Sequence, residues 1–241
     1  MKLLKVDTLV QARERLLKAA KECLPETEQV ALADASDRIL AEDIVSGEMI
    51  PAFRRSSVDG YAVCSKDTAG ATESIPVFLK VLEEVEIGHP AVSKIEPGTC
   101  AYVPTGGMVP EGADAMVMVE YSERFGTDEV ALYENVPYGK CIVLPGEDVK
   151  TGDIVLKAGT RIGPAQAGTL AALGVVQVPV FKPWKVAVLS TGDELVRIDQ
   201  VPGPGQVRDI NTWALSCYVK KTGLELVSAE AVRDEEVLLE E

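Results

Sequence analysis

Between residues 51 and 137 the chain is cut by glycines, prolines and acidic turns into short β-prone runs. Residues 77–85, 99–104, 115–121 and 130–133 are the longest of these. Short strands separated by turn signals at close intervals restrict this stretch to an all-β module. Residues 138–160 keep the same punctuation, with Pro145-Gly146-Glu147-Asp148, Lys150-Thr151-Gly152-Asp153 and Ala158-Gly159-Thr160 reading as hairpin-type turns.

The flanks have a different rhythm. Residues 8–23 predict an amphipathic helix. Thr8-Leu9-Val10-Gln11 forms a capping box, Leu9, Ala12, Leu16, Ala19, Ala20 and Cys23 recur at helical spacing, and Pro25 stops the run. A short strand is expected at 29–32 and a short helix capped by Asp34 at 34–40. Pro164 in a first turn and Gly174 just past the end bracket a helix over 164–173, followed by a strand at 175–181. After Pro183 the pattern becomes β-loop-α-β-α. A buried-type strand at 185–189 precedes a loop of about 20 residues, longer than the usual α/β connection of about 2–6. A helix then runs from Asn211, an N-cap residue type, to Gly223. A strand at 224–229 follows, and a last helix starts near Asp234. Two strands do not complete a doubly wound sheet, which wants more strands and helices on both faces. The chain is therefore expected to stop before its last domain is finished.

Composition narrows the chemistry. A single histidine, His89 in the turn-like Gly88-His89-Pro90, excludes an H-E-x-x-H helix and any multi-histidine metal site. Five scattered cysteines with no C-x-x-C pair read as reduced thiols and make structural zinc a poor fit. A net charge of −14 opposes nucleic-acid binding, which depends on cations neutralising phosphates. No apolar run approaches the roughly 18 residues of a membrane span. Charge comes too early for a signal peptide, so a cytoplasmic protein is expected. Carboxylates, hydroxyls, lysines, backbone amides and hard metal ions remain.

Three segments concentrate such groups. Ser56-Ser57-Val58-Asp59-Gly60-Tyr61 reads either as an ordinary Asp-Gly hairpin turn or as a turn able to hold a metal ion or oxyanion. Val103-Pro104-Thr105-Gly106-Gly107 is either a loop needing positive φ or a hydroxyl and bare amides offered to an oxyanion. Leu189-Ser190-Thr191-Gly192-Asp193-Glu194-Leu195 lies past the carboxyl end of a strand, where α/β folds place ligands. There Ser190, Thr191 and the Gly192 amide could contact phosphate, with Asp193 and Glu194 holding Mg²⁺. The same Thr191-Gly192-Asp193-Glu194 also reads as a capping box for a short helix. Asp209-Ile210-Asn211 and Asp234 each have a helix-capping explanation.

Taken in order, these segments resemble the molybdopterin molybdenumtransferase family, which includes the E domain of gephyrin. The resemblance rests on Pro51-Ala52-Phe53 with Ser56 through Val63, Pro97-Gly98-Thr99-Cys100, Thr105-Gly106, Pro110-Glu111-Gly112-Ala113-Asp114-Ala115, Gly146-Glu147-Asp148, and Leu189 through Leu195 followed by Gly205-Gln206. The chain departs from the family's pattern at Pro104 and Gly107. The resemblance implies a multi-domain α/β plus β-rich, elongated homodimer. Its first domain would hold residues 1–50 and 138–182, with an N-terminal helix that could pack on the third domain. An inserted β-rich domain would occupy 51–137. An incomplete, Rossmann-like, pterin-binding α/β domain would occupy 183–241. Further implied are molybdate and adenylated molybdopterin as substrates, Mg²⁺ as cofactor and AMP as product. Asp59 and Thr105 would face the ligand from one subunit and Glu194 from its partner, with Asp59 and Glu194 on the metal. Ser190, Thr191, Gly192, Asp193 and Asp234 would bind the pterin nucleotide. As a fragment the chain is expected to be nearly inactive alone. The rival reading is a non-catalytic dimerising scaffold or pterin-binding module.

Overall fold

The computed structural model describes residues 7–22 and 25–233. The chain divides into two compact units, one of Val45–Val155 and one of the segments before and after it. Among the described residues no helix is long and apolar enough to cross a membrane.

The Val45–Val155 unit is built on a six-stranded sheet. Its spatial order is Ala115–Met118, Gly60–Val63, Thr99–Val103, Val77–Glu84, Glu129–Leu132, Ser122–Phe125. Every neighbouring pair is antiparallel except Val77–Glu84 with Thr99–Val103. Alternate side chains of a strand point to opposite faces, and both faces are covered here. Tyr61, Val63, Cys100 and Val117 join one apolar cluster, while Ala62, Ala101, Val103 and Met116 join the other. A fully buried valine or leucine contributes about 1.5–3 kcal/mol relative to exposure, so two such clusters make this unit a core in its own right.

Gly60–Val63 lies between two antiparallel partners, with Gly60 opposite Val103 on one side and Met118 on the other. The Asp-Gly hairpin reading of residues 56–61 is overturned. The strand before the turn, Arg55–Ser56, pairs instead with Ile142–Val143. Gly60 serves close packing, since a Cβ there would meet the Val117 carbonyl oxygen at 2.1 Å. Likewise the turn at 145–148 does not close a hairpin, because Ile142–Val143 pairs far back in sequence.

In the other unit, α1 (Leu9–Glu22) carries the expected capping box. The Thr8 amide donates to Gln11 Oε1 at 2.9 Å and the Gln11 amide to Thr8 Oγ1 at 3.3 Å. Thr27–Ala31 pairs antiparallel with Gln177–Phe181 over Leu40, Ile162, Leu170, Val178 and Val180. The helix expected at 34–40 is absent. A 3₁₀ turn at Leu32–Asp34 gives way to Asp37 in the left-handed region (φ 62°), because Ile39 and Leu40 are drawn into β-bridges with Arg161 and Val180. Pairing with distant backbone outweighs the local helical preference. α2 (Pro164–Ala172) ends at Gly174, whose amide donates to the Ala171 carbonyl while Val175 donates to Leu170. That is the glycine-terminated double bond of a Schellman motif.

The strand Lys185–Thr191 pairs in parallel with Glu225–Val232, and α3 (Asn211–Lys221) crosses between them. The capping role expected of Asn211 falls to Asp209, whose Oδ1 accepts the Thr212 amide at 3.1 Å. The long connection before α3 is pinned by a short parallel pair, Leu195–Val196 with Val207–Arg208.

The approach at Gly60 gives a direct test. Gly60→Ala should cost about 3 kcal/mol or more, at the upper end of overpacking, because the clash is with backbone, and lower the melting temperature clearly. Gly70→Ala, where a Cβ meets open space, should cost only the left-handed φ penalty of about 1–2 kcal/mol. Equal or reversed losses in thermal denaturation would contradict this account of the strand.

Candidate functional site

Sheet register brings Asp59 and Thr105 together. Because Gly60 opposes Val103 on antiparallel strands, the residue entering one strand meets the loop leaving the other. Asp59 Oδ1 accepts the Thr105 amide at 2.7 Å and the Thr105 hydroxyl at 3.0 Å. The backbone bond first, and the hydroxyl bond second, hold the Asp59 carboxyl below the usual aspartate range against a small opposing desolvation. Both residues are exposed.

The supporting loops are fastened to each other. Gly106, with φ 83°, donates its amide to the Ser56 carbonyl at 2.8 Å, and Ser56 returns its own amide to the Gly107 carbonyl at 3.0 Å. The Ser56 hydroxyl donates to the Val58 carbonyl at 2.6 Å and accepts the Val58 amide at 3.2 Å. Arg54, which the sequence reading did not single out, donates to the carbonyls of Ala113 (2.9 Å) and Pro110 (3.0 Å). It clamps the Pro110–Ala113 loop to the strand that leads into the Asp59 turn. Those contacts span more than fifty residues, so local sequence carries no signal for them.

The second oxygen-rich segment lies in the other unit, at the carboxyl end of Lys185–Thr191. Thr191, Asp193 and Glu194 are exposed, while Ser190 and Gly192 are buried. The capping-box helix expected at 191–194 does not form; residues 193–194 make a turn into the strand Leu195–Val196. The Gly192 amide instead extends the parallel ladder by donating to the Val232 carbonyl at 3.2 Å. The Glu194 carboxylate folds back against Gly192 and accepts no hydrogen bond among the described residues, leaving it available to a ligand.

Behind this loop sits a cluster of hydroxyls and one carboxylate. The Thr212 hydroxyl donates to Ser190 Oγ at 2.7 Å, and the Thr212 amide to Asp209. Burial pushes the Asp209 carboxyl up, but hydrogen bonds from Thr212, Asn211 and Ser190 together outweigh it and hold the group below its ordinary value. Ser190 is therefore a positioned residue tied to α3. Thr212 was missed in the sequence, although Asp209 and a hydroxyl three residues on is a recognisable capping pattern. Asp234 lies outside the described residues. His89 is exposed in its turn, 3.6 Å from Glu86.

Among the described residues no group of three histidine, cysteine or acidic side chains could hold a metal ion. Each loop does offer hard oxygen donors, one or two carboxylates at a time. That donor set suits Mg²⁺, which keeps several waters and commonly takes one or two carboxylates plus substrate phosphate.

These features describe a class: a sheet-rich, multi-domain protein with few helices and oxygen-bearing loops at its strand ends. Residues 8–174 match the family model described as MoeA N-terminal region (domain I and II). The chain belongs to the MoeA family, the molybdopterin molybdenumtransferases. It is 37% identical over 227 residues to Molybdopterin molybdenumtransferase 2 of Mycobacterium tuberculosis, covering 94% of this chain and 55% of that protein. With Molybdopterin molybdenumtransferase of Bacillus subtilis it shares 35% over 213 residues, 87% of this chain and 50% of the relative. The crystal structure of the molybdopterin biosynthesis moeA protein from Pyrococcus horikoshii OT3 superposes with a TM-score of 0.85 at 37% identity, over 90% of this chain and 57% of that one. The chain thus spans about half the length of the curated relatives it matches.

Two carboxylates with lowered pKa values fix a pH dependence. A carboxyl favoured in its charged form by the fold contributes stability above the ordinary value of about 4. That contribution disappears as pH falls through the lowered value. Thr105→Val should raise the Asp59 pKa only part of the way, because the larger cause, the Thr105 amide, survives. An NMR titration of the Asp59 carboxyl reads this directly, and a full return to the ordinary value would contradict it. Asp209→Ala should lower stability by about 1 kcal/mol through loss of the cap.

Proposed function

We propose that this chain serves molybdenum cofactor biosynthesis as part of a molybdopterin molybdenumtransferase. The reaction inserts molybdate into the dithiolene of adenylated molybdopterin and releases AMP. What carries this reading is the Asp59–Thr105 pair within a chain of this family. One carboxylate oxygen fixes the loop, and the residue stays exposed, its carboxylate favoured in the charged form.

The roles assigned follow the chemistry of the groups. Asp59 supplies a fixed negative oxygen, with Thr105 holding its orientation. Glu194 supplies a second carboxylate, which accepts no hydrogen bond among the described residues. Bound Mg²⁺ would offset phosphate charge, and Asp59 and Glu194 are the residues assigned to hold it. The Ser190–Asp193 loop and Asp234 are assigned to the pterin nucleotide. Substrate positioning and charge neutralisation dominate phosphoryl chemistry, which needs no histidine or thiol nucleophile. A homodimer and a cytoplasmic location belong to the same proposal.

The test uses full-length protein with molybdate, Mg²⁺ and adenylated molybdopterin. Asp59→Asn and Glu194→Gln should each reduce AMP release by about 100-fold or more, the scale on which an electrostatic catalytic group acts, while circular dichroism and melting temperature stay near wild type. The 241-residue chain alone should release little AMP. Wild-type rates in both variants would remove the proposal. A stable dimer in sedimentation whose melting responds to neither Mg²⁺ nor the pterin substrate would favour the scaffold reading.

A further inference from the structure

Ser56 lies where the two halves of the Asp59 site meet, and only 1% of it is exposed. Its backbone holds the loop that carries Thr105, the carbonyl accepting the Gly106 amide at 2.8 Å and the amide donating to the Gly107 carbonyl at 3.0 Å. Its hydroxyl holds the approach to Asp59, donating to the Val58 carbonyl at 2.6 Å and accepting the Val58 amide at 3.2 Å. One side chain therefore fixes both polar backbone groups of the residue immediately before Asp59. Val58 itself packs against the apolar cluster of Ala62, Ala101 and Met116. On the far side, the Asp59 carbonyl accepts the Val119 amide at 2.9 Å. The Asp59 backbone is thus braced from both directions, and the Ser56 brace is a hydroxyl that one substitution removes.

The same unit contains the same device with different attachments. Ser46, 2% exposed, donates its hydroxyl to the Glu48 carbonyl at 2.6 Å and accepts the Glu48 amide at 3.4 Å. Its backbone bonds go to Gly152 and Asp153, at 2.8 and 2.9 Å. A serine that folds back on the residue two positions ahead is an ordinary way of fixing a turn. Only at Ser56, of these two, does that turn join the loop bearing Thr105. We propose that Ser56 is a positioning residue whose hydroxyl holds the Asp59 carboxylate against the Thr105 amide and hydroxyl, setting the direction in which the charge is offered. Ser56 acts through Asp59 and touches no ligand. Its catalytic consequence rests on the transferase reading of Asp59; the coupling to Thr105 does not.

The coupling is read on the 241-residue chain by NMR titration of the Asp59 carboxyl and by hydrogen exchange of the Thr105 amide. Ser56→Ala should move the Asp59 pKa up toward the ordinary aspartate value and speed Thr105 exchange about tenfold. Ser56→Cys, which fills the same space with a weak donor, should give the same shifts and serves where Ser56→Ala does not fold. Ser46→Ala is the matched control: it should lower the melting temperature similarly and leave Asp59 and Thr105 as in wild type. In full-length protein with molybdate, Mg²⁺ and adenylated molybdopterin, Ser56→Ala should reduce AMP release about 10–100-fold. Added to Asp59→Asn it should cost less than about twofold more, because a residue acting through Asp59 has nothing left to position. Wild-type Asp59 pKa and Thr105 exchange in a folded Ser56 variant, or equal shifts in Ser46→Ala, would overturn the proposal. So would full AMP release in Ser56→Ala where Asp59→Asn abolishes it. A failure of the transferase reading looks different: AMP release is indifferent to Asp59→Asn while the pKa and exchange shifts of the Ser56 variants remain.

Discussion

The approach of one backbone to another at Gly60 sets the geometry on which the Asp59 site depends. With no side chain at Gly60, the Val117 carbonyl can come to where a Cβ would stand. The Gly60–Val63 strand can then take antiparallel partners on both sides at once. Register follows from that double pairing, and register decides which residue enters opposite which. A slip of one residue would turn Tyr61 and Val63 out of their cluster and Ala62 into it. It would also carry Asp59 away from the Thr105 amide. The apolar clusters on the two faces therefore fix the position of a polar contact that contributes little to stability itself.

Both units hold an aspartate with a threonine, to different ends. Asp59 receives the amide and hydroxyl of Thr105 on one oxygen and remains exposed. Asp209 is buried, and amides and hydroxyls from three residues converge on it. The first arrangement leaves an oriented negative charge open to a ligand. The second uses up its charge internally and fixes the start of α3 against Ser190. Burial and the count of donors separate an aspartate that can bind from one that positions its neighbours.

Sequence patterns with a local cause were legible. The Thr8–Gln11 capping box, the proline and glycine bracketing α2, Gly223 closing α3, and the β-prone runs of the inserted unit all appear where the residues put them. The failures share a physical origin in long-range pairing. Residues 34–40 start with a capping aspartate, yet Ile39 and Leu40 are claimed by β-bridges to distant Arg161 and Val180. Asp59-Gly60 has the composition of a hairpin turn, yet the strands it joins pair with others. Thr191 through Glu194 satisfies a capping pattern, but the Gly192 amide bonds to Val232 and extends the sheet. Arg54 was invisible because its carbonyl acceptors lie 56 and 59 residues away. The family resemblance identified Asp59, Thr105 and Glu194 as candidates, and the coordinates supply the contacts of the first two.

A net charge of −14 is an unfavourable setting for an anionic substrate. The arginines nearest the Asp59 turn do not relieve it: Arg54 is occupied by two carbonyls, and Arg55 lies 3.6 Å from Asp148. Under the proposed function, a divalent cation would supply positive charge at the site. An acidic surface favours that supply, because its field raises the local concentration of cations. Carboxylates that accept no hydrogen bond among the described residues, such as Glu194, are the groups able to take a hard ion together with substrate phosphate. The acidity that repels a bare polyphosphate is thus compatible with binding the metal-complexed form.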